Sequence, residues 1–257
     1  MIQYILLPIV GFLVGLLIIS LGGGGGAVYV GILTVFFNIP PAIAASTSLA
    51  TTIPTTAVGT FSHWKAGNVN WRLGLTMLVG GVVGSIIGSL FSGLLPQKLY
   101  NKLTGLILLL LAVQMLVSFL KKKKAAAETS PGKTVSRRDM VKAIGFGLLG
   151  GAMSGLVGLS GGGPIVAGLM ILGCQALETV GTSVLVLLGI AVTGFVAHLS
   201  LGDINWTLVG LLAVGTMCGA FVGPSLLSRV DKAKLEKVLQ PLLFLMTLVM
   251  GGILIFK

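Results

Sequence analysis

Leu21-Gly22-Gly23-Gly24-Gly25-Gly26-Ala27 interrupts an apolar N-terminal sequence, and Leu159-Ser160-Gly161-Gly162-Gly163-Pro164 interrupts another in the second half of the chain. Each break follows an apolar run of membrane-spanning length and precedes a short one, residues 27–37 and 164–173. Glycine reaches backbone angles closed to other residues and leaves the peptide groups uncovered. In a bilayer such irregular backbone persists only where protein buries it or where it lines a cavity. A matched pair of short, glycine-interrupted apolar segments therefore points to a transporter-type binding site.

The composition agrees. Only 9% of the 257 residues are charged, against roughly 25% in soluble domains, and mean hydropathy is +1.07. This is the composition of an all-α integral membrane protein. Residues 1–20 carry no Lys or Arg, so they lack the basic start of a signal peptide and read as the first span. The net charge of +11 does not indicate nucleic acid, because eight of the 17 basic residues sit between Lys121 and Lys142. That clustering is what the positive-inside rule produces, and Lys121–Lys124 are placed to meet anionic lipid headgroups. Cys174 and Cys218 have no metal-ligand spacing, and no metal or cofactor is expected.

The apolar runs are 2–20, 42–62, 72–95 and 99–120, then 141–159, 179–200, 206–227 and 236–256, with the two short segments between. Domains follow: a first membrane repeat over 1–120, a basic linker over 121–140, and a second repeat over 141–257. The halves match residue by residue. Gly59-x3-His63-x3-Gly67-x2-Asn70-Trp71 recurs as Gly194-x3-His198-x3-Gly202-x2-Asn205-Trp206, Thr47-Ser48 as Thr182-Ser183, and Gly80, Gly84 and Gly88 as Gly215, Gly219 and Gly223, all offset by 135. The glycine breaks, aligned as Gly24–Gly26 and Gly161–Gly163, are offset by 137. Such periodic self-similarity is an internal duplication.

Five segments per copy make the copies inverted. With the linker in the cytoplasm, Lys65, Arg72 and the cluster from Arg229 to Lys237 are then also inside, and only Lys98, Lys102 and Lys257 break the rule. If the short segments merely re-enter, the arrangement is 4+4 and parallel, and the Arg229–Lys237 cluster falls outside. Charge favours the inverted 5+5 form. Length is its weak point, since 11 helical residues cover only about 16 Å.

Helices starting at the breaks would present free N–H groups and positive dipole ends from Gly24, Gly25 and Gly26, and from Gly161, Gly162 and Gly163, with Pro164 suited to the first helical position. Two such ends facing each other make an anion site without a buried cation. Thr47, Ser48, Thr182 and Ser183 recur at matching places and, with Thr51, are candidates to line it. Serine and threonine in membranes also bond back to their own helix. His63 and His198 recur at the ends of spans and are candidates for a coupling proton, as is Glu178. The plainer readings are a histidine bonded to a carbonyl and a glutamate at a helix start. Asn70-Trp71 and Asn205-Trp206 read as helix starts with interfacial tryptophans. Paired carboxylates are lacking and the two histidines lie in different copies, so an intramembrane enzyme is a minor alternative; an anion-selective channel is the nearer one.

These residues resemble the TauE/SafE family, the sulfite-exporter type: the Gly-Gly-Gly break after the first span of each half, the Thr-Ser of the third segment, and the Gly-x3-His-x3-Gly-x2-Asn-Trp loop. The resemblance spans nearly the whole chain in two copies. The first copy departs in having Ala27 where the second has Pro164, and five glycines in a row. The resemblance implies a multi-pass transporter of the bacterial cytoplasmic membrane, working by alternating access. Its substrate would be a small sulfur-containing anion such as sulfite, sulfoacetate or another organosulfonate. The glycine stripes also leave room for a homodimer.

Overall fold

The computed structural model describes residues 2–21, 25–121, 136–199, 204–227 and 232–256. They form ten helices: α1 (Ile2–Leu21), α2 (Gly26–Val35), α3 (Pro41–Lys65), α4 (Trp71–Ser92), α5 (Gln97–Lys121), α6 (Arg137–Val157), α7 (Gly162–Ile171), α8 (Ala176–His198), α9 (Trp206–Leu227) and α10 (Lys232–Phe256). No strand occurs among the described residues. By length and composition α4, α6 and α8 can each cross a membrane, and shorter apolar helical stretches lie in α1, α2, α7, α9 and α10. The hydroxyls and His63 of α3 lower its hydropathy although it is 25 residues long.

Several helix starts are written locally. Asn70 Oδ1 accepts from the N–H of Leu73 at 3.1 Å, and Asn205 Oδ1 accepts from that of Leu208 at 3.2 Å. Each is an N-cap bond that satisfies a donor without a helical partner. Ser136 caps α6, its own N–H donating to Asp139 Oδ2 at 3.1 Å. Hence α6 begins at Arg137, inside the stretch assigned to the linker, and the linker's residues 122–135 lie outside the described residues. Trp71 and Trp206 are exposed and make edge-on contacts with Trp64 and Phe195.

Glycine decides the helix pairing. Gly80, Gly84 and Gly88 of α4 sit on the carbonyls of Ile144, Leu148 and Ala152 in α6, and Gly147, Gly151 and Gly155 answer on those of Met77, Gly81 and Ser85. A β-carbon at any of them would overlap the facing carbonyl, so the two backbones touch. In the other pair, Gly11 and Gly15 of α1 sit on Leu212 and Thr216 of α9, and Gly215 and Gly219 sit on Pro8 and Phe12. Gly11 on Leu212 and Gly147 on Met77 are the same contact with the halves exchanged, since Gly11 and Gly147 differ by 136 and Met77 and Leu212 by 135. Each half thus lends its first helix to the fourth helix of the other. α3 and α8 pack together between these pairs, with α2 on α3 and α10, and α7 on α6 and α8.

Candidate functional site

The two short helices are built alike. Each has ten residues and begins after a left-handed glycine, Gly25 (φ 59°) before α2 and Gly161 (φ 64°) before α7. At a positive φ, glycine avoids the steric cost that any other residue carries there. The equivalent caps are offset by 136, not the 137 of the sequence alignment. Pro164 is the third residue of α7, not the first. The first N–H groups of a helix have no intrahelical partner, so proline is tolerated through that turn and does not mark the start. Ser160, just before Gly161, is also left-handed at φ 56°.

The breaks meet. The Gly26 N–H donates to Ser160 Oγ at 3.3 Å. A β-carbon on Gly26 would stand 2.8 Å from the Leu159 carbonyl carbon and the Ser160 nitrogen. Ser48 Oγ, from α3, donates to the Gly158 carbonyl at 3.0 Å and lies 3.5 Å from that of Gly26. Ala45 packs on Gly158, which is left-handed at φ 72°. Gly25, Gly26, Gly161 and Ser48 are thus brought to one place. Gly162 opens α7 beside them, whereas Gly163 turns toward α5, its carbonyl accepting from Gln114 Nε2 at 3.2 Å. Gly24 lies outside the described residues.

The hydroxyls divide. Thr47 is fully buried and its Oγ1 has no hydrogen-bond partner. Its counterpart Thr182 is engaged, with Oγ1 accepting from the Asn70 N–H at 2.9 Å. Thr51 Oγ1 donates to the Thr47 carbonyl at 2.8 Å, and Ser183 Oγ donates to that of Val180 at 2.8 Å. These two follow the back-bonding habit of hydroxyls in apolar helices.

Of the candidates for proton coupling, His198 meets α6 one helix turn before the second break, at Gly155, and α3 at Ser46. His198 is buried, its Nε2 is 2.6 Å from the Gly155 carbonyl, and Nδ1 lies 3.4 Å from Ser46 Oγ. The carbonyl can only accept, so Nε2 carries the proton. His63 is buried against Gly181 of α8. Glu178 is in the first turn of α8, where Oε1 accepts from Asn70 Nδ2 at 2.7 Å and Oε2 from the Gln175 N–H at 3.3 Å. Beside it, burial and the Glu178 carboxylate push the Cys174 thiol up to about 12.

Ser160 and Gln114 were not among the sequence candidates. Ser160 has a fixed place beside the glycines but reads as part of the turn. Gln114 is an isolated amide in an apolar run, and that isolation was the available signal.

Fold and composition define a multi-pass helical membrane protein with two helix starts in contact at its centre. A model of the sulfite exporter TauE/SafE family matches residues 7–250. The chain belongs to that family. It is 34% identical, over 98% of its length and 100% of the relative's, to a Bacillus subtilis protein named probable membrane transporter protein YdhB. It is 24% identical over 99% of its length, and 98% of the relative's, to the probable membrane transporter protein YunE of the same organism. A probable membrane transporter protein of Methanocaldococcus jannaschii is 28% identical over 95% of this chain and 94% of its own. No solved structure matches the chain significantly.

Proposed function

We propose that this protein is a secondary transporter that moves a small sulfur-containing anion, such as sulfite, sulfoacetate or another organosulfonate, across the bacterial cytoplasmic membrane. The observation that carries the reading is the contact between the two glycine breaks, Gly26 N–H on Ser160 Oγ, at the start of two ten-residue helices. Both helices turn the positive ends of their dipoles to this region, and an anion is the ligand such ends prefer. Thr47, with a buried hydroxyl lacking a partner, adds a donor in the helix turn that also carries Ser48.

In this reading the repeats are inverted 5+5, the linker is cytoplasmic, and the halves rock about the centre to give alternating access. Because the first helices are exchanged, with α1 on α9 and α6 on α4, the halves that rock are structural halves that each contain parts of both copies. With the interior negative, a departing dianion gains about 4.6 kcal/mol per 100 mV, twice the single-charge value. Export therefore runs without a coupling ion, whereas uptake requires one.

The test is ligand-dependent thermal stability of the purified protein against sulfite, sulfonates and carboxylates at several pH values. Stabilisation by sulfite or a sulfonate but not by acetate is the expected result. Stabilisation by no anion at all overturns the reading.

A further inference from the structure

The surroundings of the centre differ in kind between the two halves. On one side α2 carries Tyr29, α3 carries Thr55 and α9 carries Thr216. At the equivalent positions, offset by 136 for α2 and α7 and by 135 for the other pairs, stand Ile165, Ile190 and Gly81. The first set is a buried hydroxyl cluster. The Thr55 and Thr216 hydroxyls are 2.7 Å apart, and each also has a carbonyl of its own helix within reach, Thr51 and Ala213, both at 3.0 Å. The Tyr29 hydroxyl lies beside this pair, fully buried, yet makes no hydrogen bond of ordinary geometry. The second set is apolar. Ile190 fills the space beside Gly81, its Cδ1 and Cγ1 2.7 Å from where a β-carbon would sit. Ile165, Ile190 and Met77 share one buried cluster.

This contrast is informative because the backbone frame is shared. The frame accepts isoleucine at both helix positions, so packing alone does not require the hydroxyls. A buried donor whose neighbours give it no well-formed hydrogen bond is unfavourable, and a transient polar ligand is a physical reason to keep one. The charge of that ligand follows from position. Tyr29 is in the first turn of α2, its N–H donating to the Gly25 carbonyl at 3.1 Å, and so stands at the positive end of the helix. The acids whose side chains are described, Asp139 and Glu178, are engaged at the starts of α6 and α8.

We propose that the Tyr29 hydroxyl, with Thr55 and Thr216 behind it, forms a second anion subsite that binds an oxygen of the transported anion as it moves off the glycine breaks. The subsite rests on the anion reading above. It makes the route to the centre polar on the α2–α3–α9 side and leaves the α7–α8–α4 side dry.

The test is titration of the full-length protein in detergent with sulfite and methanesulfonate, comparing wild type, Tyr29→Phe and Thr216→Val, with melting temperature measured without anion. Tyr29→Phe deletes one oxygen, and it is expected to weaken both anions about tenfold or more, the worth of a hydrogen bond to a charged group. Its anion-free melting temperature stays about level, since the hydroxyl is near Thr216 and Thr55 but makes no hydrogen bond of ordinary geometry with either. Thr216→Val keeps the side-chain shape and weakens the same anions, which carries the test if the tyrosine variant folds poorly. Unchanged anion affinity in both variants overturns the subsite and leaves the central site standing. So does lost anion binding in Tyr29→Phe that comes only with a lowered melting temperature while Thr216→Val binds as wild type does, or a change in sodium dependence with anion affinity intact. Absence of anion binding in the wild type overturns the central site and the subsite together.

Discussion

The Gly26 N–H and the Ser160 hydroxyl, 134 residues apart in the chain, are hydrogen-bonded at 3.3 Å. One opens the short helix of the first half, and the other precedes that of the second. The bond is possible only because Gly26 lacks a side chain, for a β-carbon would overlap the Leu159–Ser160 peptide.

Gly26→Ala is accordingly expected to force the two breaks apart. Transport falls to background while the protein still reaches the membrane. Gly145→Ala, at an exposed glycine with nothing within 4 Å of the new methyl, is the matched control and retains activity. Uptake into vesicles, with the amount of inserted protein measured in parallel, separates the two.

The glycine pairing of α4 with α6 predicts a stability series. Gly84→Ala and Gly151→Ala drive a methyl into a facing backbone carbonyl. Each is expected to cost about 1–3 kcal/mol, the range for overpacking. Gly210→Ala and Gly252→Ala meet open space and should be neutral. Thermal melts in a single detergent order the four.

His198→Phe removes the nearer of two donors to the Gly155 carbonyl, leaving only the Ser89 hydroxyl at 3.4 Å, and the expected loss is about 1–3 kcal/mol. His198→Gln can donate to the same carbonyl and should recover much of the stability. If the histidine acts structurally, as this bond suggests, the pH profile of transport in His198→Gln matches wild type. A profile flattened by the glutamine would instead establish His198 as a coupling group.

Glu178→Gln retains an acceptor for Asn70 but weakens a charge-assisted helix start. Stability is expected to fall by about 0.5–2 kcal/mol, with the pH dependence of transport unchanged. Loss of that dependence would return Glu178 to proton coupling.

Cys174 offers a chemical check. Burial, reinforced by Glu178, raises its thiol to about 12. Only the thiolate reacts, so a maleimide at pH 8 should leave Cys174 unlabelled until the protein is unfolded. Ready labelling in the native state would show the α7–α8 turn to be more open than described.

Much of the architecture was legible in local chemistry. Apolar run lengths marked the helices, Asn70 and Asn205 marked two helix starts, and the spacing of Gly80, Gly84 and Gly88 marked a close helix contact. The boundaries slipped where a short-range signal was ambiguous: Pro164 fits several positions of a first turn, and Ser136 with Asp139 starts α6 within a basic stretch that reads as linker.

The sequence by itself determined that this is a helical membrane protein, and it carries motifs that recur in both halves, each half broken by glycine before a short apolar segment. Composition and periodicity are properties of neighbouring residues, and a repeat needs only comparison of the chain with itself. The tertiary structure alone decided that the breaks touch, that each half gives its first helix to the other, and that Thr182 is tied to Asn70 while Thr47 is left without a partner. Those outcomes depend on which backbone carbonyls and hydroxyls converge from 64 or more residues away in the chain.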